Sequence, residues 1–285
     1  MKKIIILNLL LTSSLFSQDY YYEKYAPFDK NIKSPEEFLG YPIGEMHTRH
    51  DLIVSYMEYL SNISDKAQIF YYGETYEKRK LVILAISSSD KILNLEKIRE
   101  NHISYLDPKH PNYSEESKPE DIPVIINLAY SVHGNEPSTS EAALLTAYTL
   151  IGSKSDEISK YLSDSIILID PTLNPDGRDR HTHWVNTYKG SPLVDDPQDA
   201  EHNEYWPGGR TNHYWFDLNR DWYLGIHPES RSKLKWYHSW KPNVTADFHE
   251  MGTNSTYFFV PFKPNGSLNP VIPKENYEYF NFLFG

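Results

Sequence analysis

Apolar side chains recur at regular spacings in the first half of the chain, and the spacing changes from segment to segment. Residues 46–63 carry apolar side chains three and four positions apart, which predicts one face of an amphipathic helix. Residues 68–72 and 81–86 are rich in aromatic and aliphatic residues on either side of a charged turn, which predicts a hairpin. A weaker helical pattern follows over residues 92–105.

The middle and end of the chain alternate predicted strands with predicted helices. The predicted strands are 123–129, 165–169 and 244–248, and the predicted helices are 140–151 and 228–240. We interpret the polar stretch 174–213 as one long loop, and a loop of that length usually has a function. The order of elements predicts an α/β fold, with a mixed, mostly parallel sheet flanked by helices on both faces. In such folds, ligands bind beyond the carboxyl ends of the strands.

The first residues have the pattern of an export signal. Lys2 and Lys3 precede a mostly apolar stretch that ends in small polar residues. This predicts a signal peptide over residues 1–17 and a secreted or periplasmic protein, with a buried first strand or helix as the alternative. The apolar stretch is shorter than the ~20 residues that cross a bilayer, so we expect no stable membrane span. Residues 18–45 predict an extended lead-in to a domain over residues 46–285.

Composition narrows the class of partner. The 285-residue chain has 39% hydrophobic and 24% charged residues, which favours an ordered globular protein over disorder. The formal net charge of −11 argues against a nucleic-acid partner, because the chain has no basic run to offset repulsion by phosphates. The chain contains no cysteine, so an exported form has no disulfide framework.

Polar residues directly after predicted strands form a candidate metal site. His133 and Glu136 follow the strand 123–129, where an imidazole and a carboxylate three residues apart can face one metal ion. The pair alone is weak evidence, since the pattern is common and equally describes a solvated turn. His249 follows the strand 244–248 and supplies a third candidate ligand. Two nitrogens and one carboxylate are typical of a hydrolytic zinc site with a position open for water, whereas calcium or magnesium would need more oxygen ligands.

A second group of polar residues lies between these ligands in the sequence. Arg210, in a Gly-Gly-Arg-Thr-Asn segment, precedes the run Asp217-Leu218-Asn219-Arg220. An arginine beside an asparagine can bind a carboxylate, because the guanidinium group is bidentate and the amide adds a donor. Taken alone, these residues fit a surface ion pair better.

The complete set resembles the zinc carboxypeptidase family, peptidase family M14. The resemblance rests on the His133–Glu136 turn, the Asn-Pro-Asp-Gly segment at 174–177, the arginine-containing segments within 208–220, and the later His249. The hairpin over residues 72–86 is also similar to the opening hairpin of the family. The resemblance therefore covers roughly residue 46 to the end and implies the fold of a zinc carboxypeptidase.

The resemblance also implies a metal site. His133, Glu136 and His249 would bind one zinc ion per chain. Asp217 would accept the second ring N–H of His133, which fixes the tautomer and raises the basicity of the ligand. We interpret Pro175 and Gly177 as architectural residues that shape a turn, because neither has a side chain that can donate.

The implied activity is hydrolysis of the C-terminal residue from a peptide or protein with a free C-terminus, by zinc-activated water. Arg210 would polarise the scissile carbonyl, while Asn219 and Arg220 would hold the terminal carboxylate. One alternative is a bacterial cell-wall peptide hydrolase or amidase with the same zinc ligands. A second alternative is a non-catalytic zinc-binding module.

Two elements of the family pattern are not matched. The family uses a late glutamate as general base and a mobile tyrosine that closes over substrate. Glu275 and Glu278 lie in a helix-like stretch, and Glu250 adjoins His249, where neighbouring side chains of a strand face opposite ways. We therefore expect an N-terminal fragment that lacks the C-terminal part of the domain and hydrolyses its substrate slowly or not at all.

Overall fold

The structure is a computed structural model that describes residues 22–114, 122–252 and 272–284. The chain divides into two units, one ending at His249 and one after it. The predicted signal peptide, residues 1–17, lies outside the described residues. Among the described residues, no helix has the length and apolar content of a membrane span.

The described residues form five strands and nine α-helices, numbered here in chain order. The strands are β1 (Ala67–Glu74), β2 (Lys80–Ile86), β3 (Val124–Tyr130), β4 (Ser165–Asp170) and β5 (Val244–Phe248). The helices are α1 (Pro35–Leu39), α2 (His50–Ile63), α3 (Ser89–Leu93), α4 (Leu95–Leu106), α5 (Pro137–Gly152), α6 (Asp156–Asp164), α7 (Pro175–Tyr188), α8 (Pro228–Trp240) and α9 (Lys274–Phe284). Short 3-10 helices span Glu23–Tyr25, Ala200–His202 and Leu218–Arg220. The predicted lead-in therefore contains one turn of 3-10 helix and the short helix α1.

The five strands form one sheet in the order β1-β2-β4-β3-β5. The pairs β1–β2 and β2–β4 are antiparallel, while β4–β3 and β3–β5 are parallel. The predicted mixed sheet is confirmed, with two of the four described pairings parallel. In the β3–β5 pair Tyr130 lies opposite Phe248, so both strands reach their carboxyl ends at the same edge of the sheet.

Helices cover both faces of the sheet, as predicted. Successive residues of β2 point to opposite faces because side chains alternate along a strand. Leu84 packs in a buried cluster with α2, α5 and α6, whereas Ile83 packs in a second cluster with Trp236 and Trp240 of α8. Strand β4 is buried throughout and strand β2 is buried except for Lys80, so these two strands form the centre of the core.

A buried ion pair joins α8 to the sheet. Lys233 is 2% exposed, and its Nζ atom lies 3.0 Å from Asp170 Oδ2 and 3.2 Å from Asn127 Oδ1. The Tyr72 hydroxyl donates to the same Asp170 oxygen at 2.8 Å. These contacts satisfy an ammonium group in a place where an unpaired charge would be strongly unfavourable.

The polar stretch 174–213, predicted as one long loop, begins with the fourteen-residue helix α7. Its start has ordinary helix signals, since Asn174 is the N-cap and accepts from the Gly177 N–H at 3.0 Å, with Pro175 in the first turn. The prediction missed the helix because α7 buries charged and polar side chains in place of an apolar stripe. Arg178 is fully buried and binds Glu141 at 2.7 Å.

Candidate metal centre

His133 and Glu136 lie on a tight turn that leaves the carboxyl end of β3. Ser131, with a φ of 56°, opens the turn, and its hydroxyl donates to the His133 carbonyl oxygen at 3.2 Å. Gly134 packs so closely on the start of α7 that a Cβ atom would lie 2.1 Å from the Arg178 nitrogen. The turn is therefore held against the helix at a position where no side chain fits.

The three predicted metal ligands converge at the edge where β3 and β5 end. His133 Nδ1 lies 2.7 Å from Glu136 Oε1, and His249 Nδ1 lies 3.1 Å from Glu136 Oε2. One ligand atom from each of the three residues lies within 4.8 Å of the other two. His133 and Glu136 are buried, while the His249 side chain is 32% exposed. The site thus has an inner wall and a side open to solvent.

Each histidine places its second ring nitrogen against an aspartate. His133 Nε2 lies 3.0 Å from Asp217 Oδ1, and His249 Nε2 lies 3.0 Å from Asp247 Oδ2. When these nitrogens donate their protons to the carboxylates, both Nδ1 atoms carry a lone pair toward Glu136. Two imidazole nitrogens and one carboxylate, each histidine backed by a carboxylate, fit zinc.

Asp247 is a part of the site that the sequence prediction missed. It precedes His249 by two positions at the end of β5, and a period of two puts both side chains on one face of the strand. That spacing was a signal that could have identified it.

The surroundings of His133 favour positive charge. Burial works against protonation, but hydrogen bonds to the Glu136 and Asp217 carboxylates raise the pKa of His133 above its ordinary value. Arg210 acts in the opposite direction. The net increase in the pKa of His133 shows that the groups around this ring favour a positive charge next to it.

Asp217 is the central acceptor of the site. Its Oδ1 atom accepts from His133 Nε2 and also from the Asn219 backbone N–H at 2.9 Å, which caps the 3-10 helix Leu218–Arg220. Its Oδ2 atom accepts from Arg210 Nη2 at 2.9 Å. Burial opposes ionisation, but His133 and Arg210 hold the pKa of Asp217 below its ordinary value. Asp217 therefore remains a carboxylate that orients three different groups.

Arg210 extends from Asp217 toward the metal ligands. Its Nη1 atom lies 3.4 Å from His133 Nδ1 and 3.9 Å from Glu136 Oε1. The side chain is 47% exposed, so the guanidinium group is accessible from solvent. A positive charge anchored on Asp217 thus lies at the open side of the candidate zinc site.

Asn219 and Arg220 lie at the other side of the site. The Asn219 Oδ1 atom accepts from Trp222 Nε1 at 3.0 Å, which turns Nδ2 toward His249 Nε2, 3.5 Å away. Within the described residues, the exposed Arg220 guanidinium makes no ion pair and donates only to the Asn219 carbonyl oxygen. The surface ion pair considered from the sequence is therefore not formed by Arg220. Trp222 was not predicted to contribute, although the three-residue spacing from Asn219 suits a 3-10 turn.

The sequence matches one known protein family. The sequence model of the zinc carboxypeptidase family, peptidase M14, matches residues 53–265. The chain belongs to this family.

Solved zinc carboxypeptidases are similar to the chain at low identity. A metallo-carboxypeptidase from Burkholderia cenocepacia is 15% identical, with a TM-score of 0.42 over 70% of this chain and 39% of that one. Carboxypeptidase A from Helicoverpa armigera is 14% identical, with a TM-score of 0.46 over 88% of this chain and 59% of that one. The chain spans only 38 to 40% of the length of each of three similar bacterial carboxypeptidases. No curated protein matches its sequence.

In this member of the family, α7 supports the loop that carries Arg210. A Cβ atom on Gly177 would lie 2.4 Å from the Gly209 carbonyl oxygen, so the loop contacts the first turn of the helix directly. Arg180 Nη1 donates to the Gly208 carbonyl at 2.6 Å, and its Nη2 donates to the Asn212 carbonyl at 3.1 Å. Arg180 therefore clamps the chain on both sides of Arg210.

A second group of potential ligands, Glu77, Asp176 and His213, also has one atom from each residue within 4.8 Å of the others. The Arg79 guanidinium lies among them, paired with Glu77 and 2.8 Å from Asp176 Oδ1. Thr75 Oγ1 donates to the same Asp176 oxygen at 2.7 Å. An arginine already supplies the positive charge, so this cluster ties the β1–β2 hairpin to α7.

Proposed function

We propose that the protein is a zinc-dependent metallocarboxypeptidase that releases the C-terminal residue of a peptide. The observation that carries the proposal is the convergence of two histidine Nδ1 atoms on the Glu136 carboxylate, with Asp217 and Asp247 behind the two rings. This arrangement would hold one zinc ion through His133, Glu136 and His249.

When bound, zinc supplies Lewis-acid chemistry that polarises a carbonyl group and makes water nucleophilic near neutral pH. The contribution of the chain is to fix the ligands. Asp217 holds His133 in the tautomer with a lone pair on Nδ1, and Asp247 does the same for His249. Because both aspartates are in place before ligand binding, the rings need no reorientation.

Arg210 is suited to stabilise the negative charge that develops on the scissile carbonyl oxygen. Its Nη1 atom lies beside two of the ligands, whereas its Nη2 atom is anchored on Asp217. A preoriented positive charge near a developing oxyanion stabilises the transition state more than the ground state.

Asn219 and Arg220 are suited to bind the terminal carboxylate of the substrate. Trp222 orients the Asn219 amide so that its NH2 group faces the site, and the Arg220 guanidinium has no acidic partner within the described chain. A guanidinium fork with an amide donor matches a carboxylate. Any peptide with a free carboxylate meets this requirement, including one derived from a bacterial cell wall.

Zinc content and carboxylate binding test the proposal separately. Elemental analysis after dialysis against a weak chelator should give about one zinc per chain for the wild type. His133→Ala and His249→Ala should each lose it, because two ligands do not hold the ion against the chelator. Equal zinc in the wild type and both variants contradicts the ligand assignment.

Arg220→Ala should retain zinc and bind a peptide with a free C-terminus roughly 10- to 100-fold more weakly, as expected for loss of a charged hydrogen bond. The same peptide with an amidated C-terminus should bind both proteins equally weakly. Arg231→Ala, which removes an exposed arginine from α8, is the matched control and should bind like the wild type. An effect of Arg220→Ala on both peptides alike would refute the carboxylate assignment.

We also propose that the protein is exported. Lys2, Lys3 and the apolar stretch after them support this location. Expression of the full gene in a bacterial host should yield periplasmic or secreted protein that begins near Gln18, as read by intact mass. Cytoplasmic protein that retains Met1 would contradict the proposal.

A further inference from the structure

Large aromatic side chains are exposed on both sides of Arg210. Trp206 is 71% exposed and Trp215 is 57% exposed. Their ring centroids lie 4.7 Å apart with an angle of 60° between the planes, so the two residues form a joint surface. Exposed pairs of this kind are unusual on soluble proteins unless they contact a ligand or a partner.

The backbone of Trp215 is strained. Its φ of 60° lies in the left-handed region, which bulky residues rarely adopt. The Trp215 N–H donates to the Asn212 carbonyl at 3.1 Å, and the Asn212 N–H donates to the Phe216 carbonyl at 3.0 Å, which closes a tight loop. The Asn212 side-chain oxygen accepts from the backbone of Tyr214 and Phe216. A glycine would fit this backbone more easily, so the tryptophan occupies this position at a conformational cost.

The surface formed by Trp206 and Trp215 is rigid because Arg180 binds the backbone near both residues. Arg180 donates to the Gly208 carbonyl, two residues after Trp206, and to the Asn212 carbonyl, three residues before Trp215. A preorganised aromatic surface loses little conformational entropy when a ligand stacks on it.

The surface lies close to the metal centre on a defined side. Trp215 precedes Asp217 by two residues, so their Cα atoms are at most ~7.6 Å apart. The chain runs from Trp215 through Asp217, at the metal ligands, to Asn219 and Arg220. Arg210, which the two tryptophans flank in sequence, lies 3.4 Å from His133 Nδ1, whereas the Asn219 amide lies 3.5 Å from His249 Nε2. The aromatic surface and the pair proposed to bind the terminal carboxylate therefore belong to segments that lie against different candidate ligands.

We propose that Trp206 and Trp215 form a stacking site for an aromatic or large apolar side chain of the peptide substrate. Because the terminal carboxylate is assigned to the other segment, the bound side chain belongs to a residue upstream of the scissile bond. The assignment rests on the proposed carboxypeptidase function and adds to it a preference for a class of substrate. Stacking on the exposed ring faces supplies the affinity.

Binding of matched peptides to the zinc-loaded full chain tests the assignment. The probes are N-acetylated tetrapeptides with a free C-terminus and a reduced, non-hydrolysable last bond. They carry tryptophan or alanine at one of the two positions upstream of that bond. Isothermal titration calorimetry should show the tryptophan peptide binding roughly 5- to 30-fold more tightly than the alanine peptide at one of these positions.

The variants Trp206→Ala and Trp215→Gly should remove this difference and leave the affinity for the alanine peptide unchanged. Glycine at position 215 adopts a positive φ without strain, so the loop is expected to keep its shape. Tyr161→Ala is the matched control, since Tyr161 is 47% exposed on α6, which leads into the opposite end of β4. It should bind both peptides like the wild type.

Two results would overturn the assignment and leave the proposed function intact. One is an unchanged tryptophan preference in both variants, or none in the wild type, while Arg220→Ala still weakens binding. The other is Trp-dependent binding of a soluble oligosaccharide without any peptide preference, which identifies a sugar-binding surface. Absence of zinc together with indifference to Arg220→Ala refutes the proposed function, and the assignment falls with it.

Discussion

Glu229 is a buried carboxylate whose ionisation we expect to destabilise the folded protein. It lies in the first turn of α8, is 3% exposed, and borders a cavity with room for about one water molecule. Within the described residues, neither carboxylate oxygen has a hydrogen-bond partner in good geometry. Burial raises the pKa of Glu229 to about 7, and the carboxylates of Asp176 and Asp221 add to the increase, while its own backbone N–H and the nearby Asn212 side chain act in the opposite direction.

The direction of the pH effect follows from the proton bound in each state. Unfolded, Glu229 titrates near its ordinary value of 4.5, whereas the folded protein holds the proton up to about pH 7. Below pH 4.5 Glu229 is protonated in both the folded and the unfolded state, so its ionisation does not lower the stability of the folded protein. As pH rises from 4.5 to about 7 the unfolded chain releases the proton first, so the folded protein loses stability. Above that range the full cost is about 3 kcal/mol.

Replacement by glutamine removes the titrating proton and keeps the shape of the side chain. We expect Glu229→Gln to be more stable than the wild type, with a gap that widens by about 2 to 3 kcal/mol between about pH 5 and about pH 8. Guanidinium denaturation followed by tryptophan fluorescence measures both proteins at both pH values. The comparison between pH values cancels any packing difference between the two side chains.

Glu100→Gln is the control, because it makes the same change of charge at an exposed position on α4. The free energy of unfolding of Glu100→Gln should stay within about 0.5 kcal/mol of the wild-type value at both pH values. If the difference in free energy of unfolding between Glu229→Gln and the wild type is the same at both pH values, the carboxylate is solvated or paired in solution. If the difference becomes smaller as pH rises, the folded protein favours the ionised form of Glu229, which contradicts the prediction.

Two further substitutions test the support of the site and of the core. Asp247→Asn should weaken zinc binding roughly 10- to 100-fold in a competition assay with a chelating dye, because His249 loses the carboxylate behind its ring; unchanged affinity would remove Asp247 from the site. Lys233→Met should lower the free energy of unfolding by about 3 to 5 kcal/mol, because it leaves Asp170 buried without its cation. Addition of Asp170→Asn should restore part of that stability, and a larger loss in the double variant would contradict the ion-pair explanation.

The convergence of His133, Glu136 and His249 was predictable because these residues follow predicted strands, while their role as zinc ligands stays a prediction. The runs that form β3 and β5 identified two strands, of which β3 is partly buried and β5 is mostly exposed. Polar residues at the ends of both strands were expected at the ligand-binding edge. The parallel β3–β5 pairing then brings His133 and His249 to the same point, although the two residues are far apart in sequence. Strand period and sheet geometry together were sufficient for this part.

The helix α7 was missed for a physical reason. Its buried side chains include Asp176, Arg178 and Thr182, which are satisfied by specific partners and not by an apolar layer. Periodicity of apolar residues carries no information about such a helix. The contributions of Arg180 and Trp222 were missed for a related reason, because each acts through a hydrogen bond whose partner is known only in the folded chain. The signal peptide and the unmatched base glutamate stay predictions.

Asp217 links groups that belong to different parts of the site. A single carboxylate accepts from the His133 ring, the Arg210 guanidinium and the Asn219 backbone N–H. Substitutions of His133 and Arg210 should therefore not be additive, because loss of either partner frees Asp217 to move toward the other. Coupling energies of about 0.5 to 3 kcal/mol are typical of residues that share a partner in this way. A substitution of Asp217 should therefore change the positions of His133, Arg210 and Asn219 at the same time.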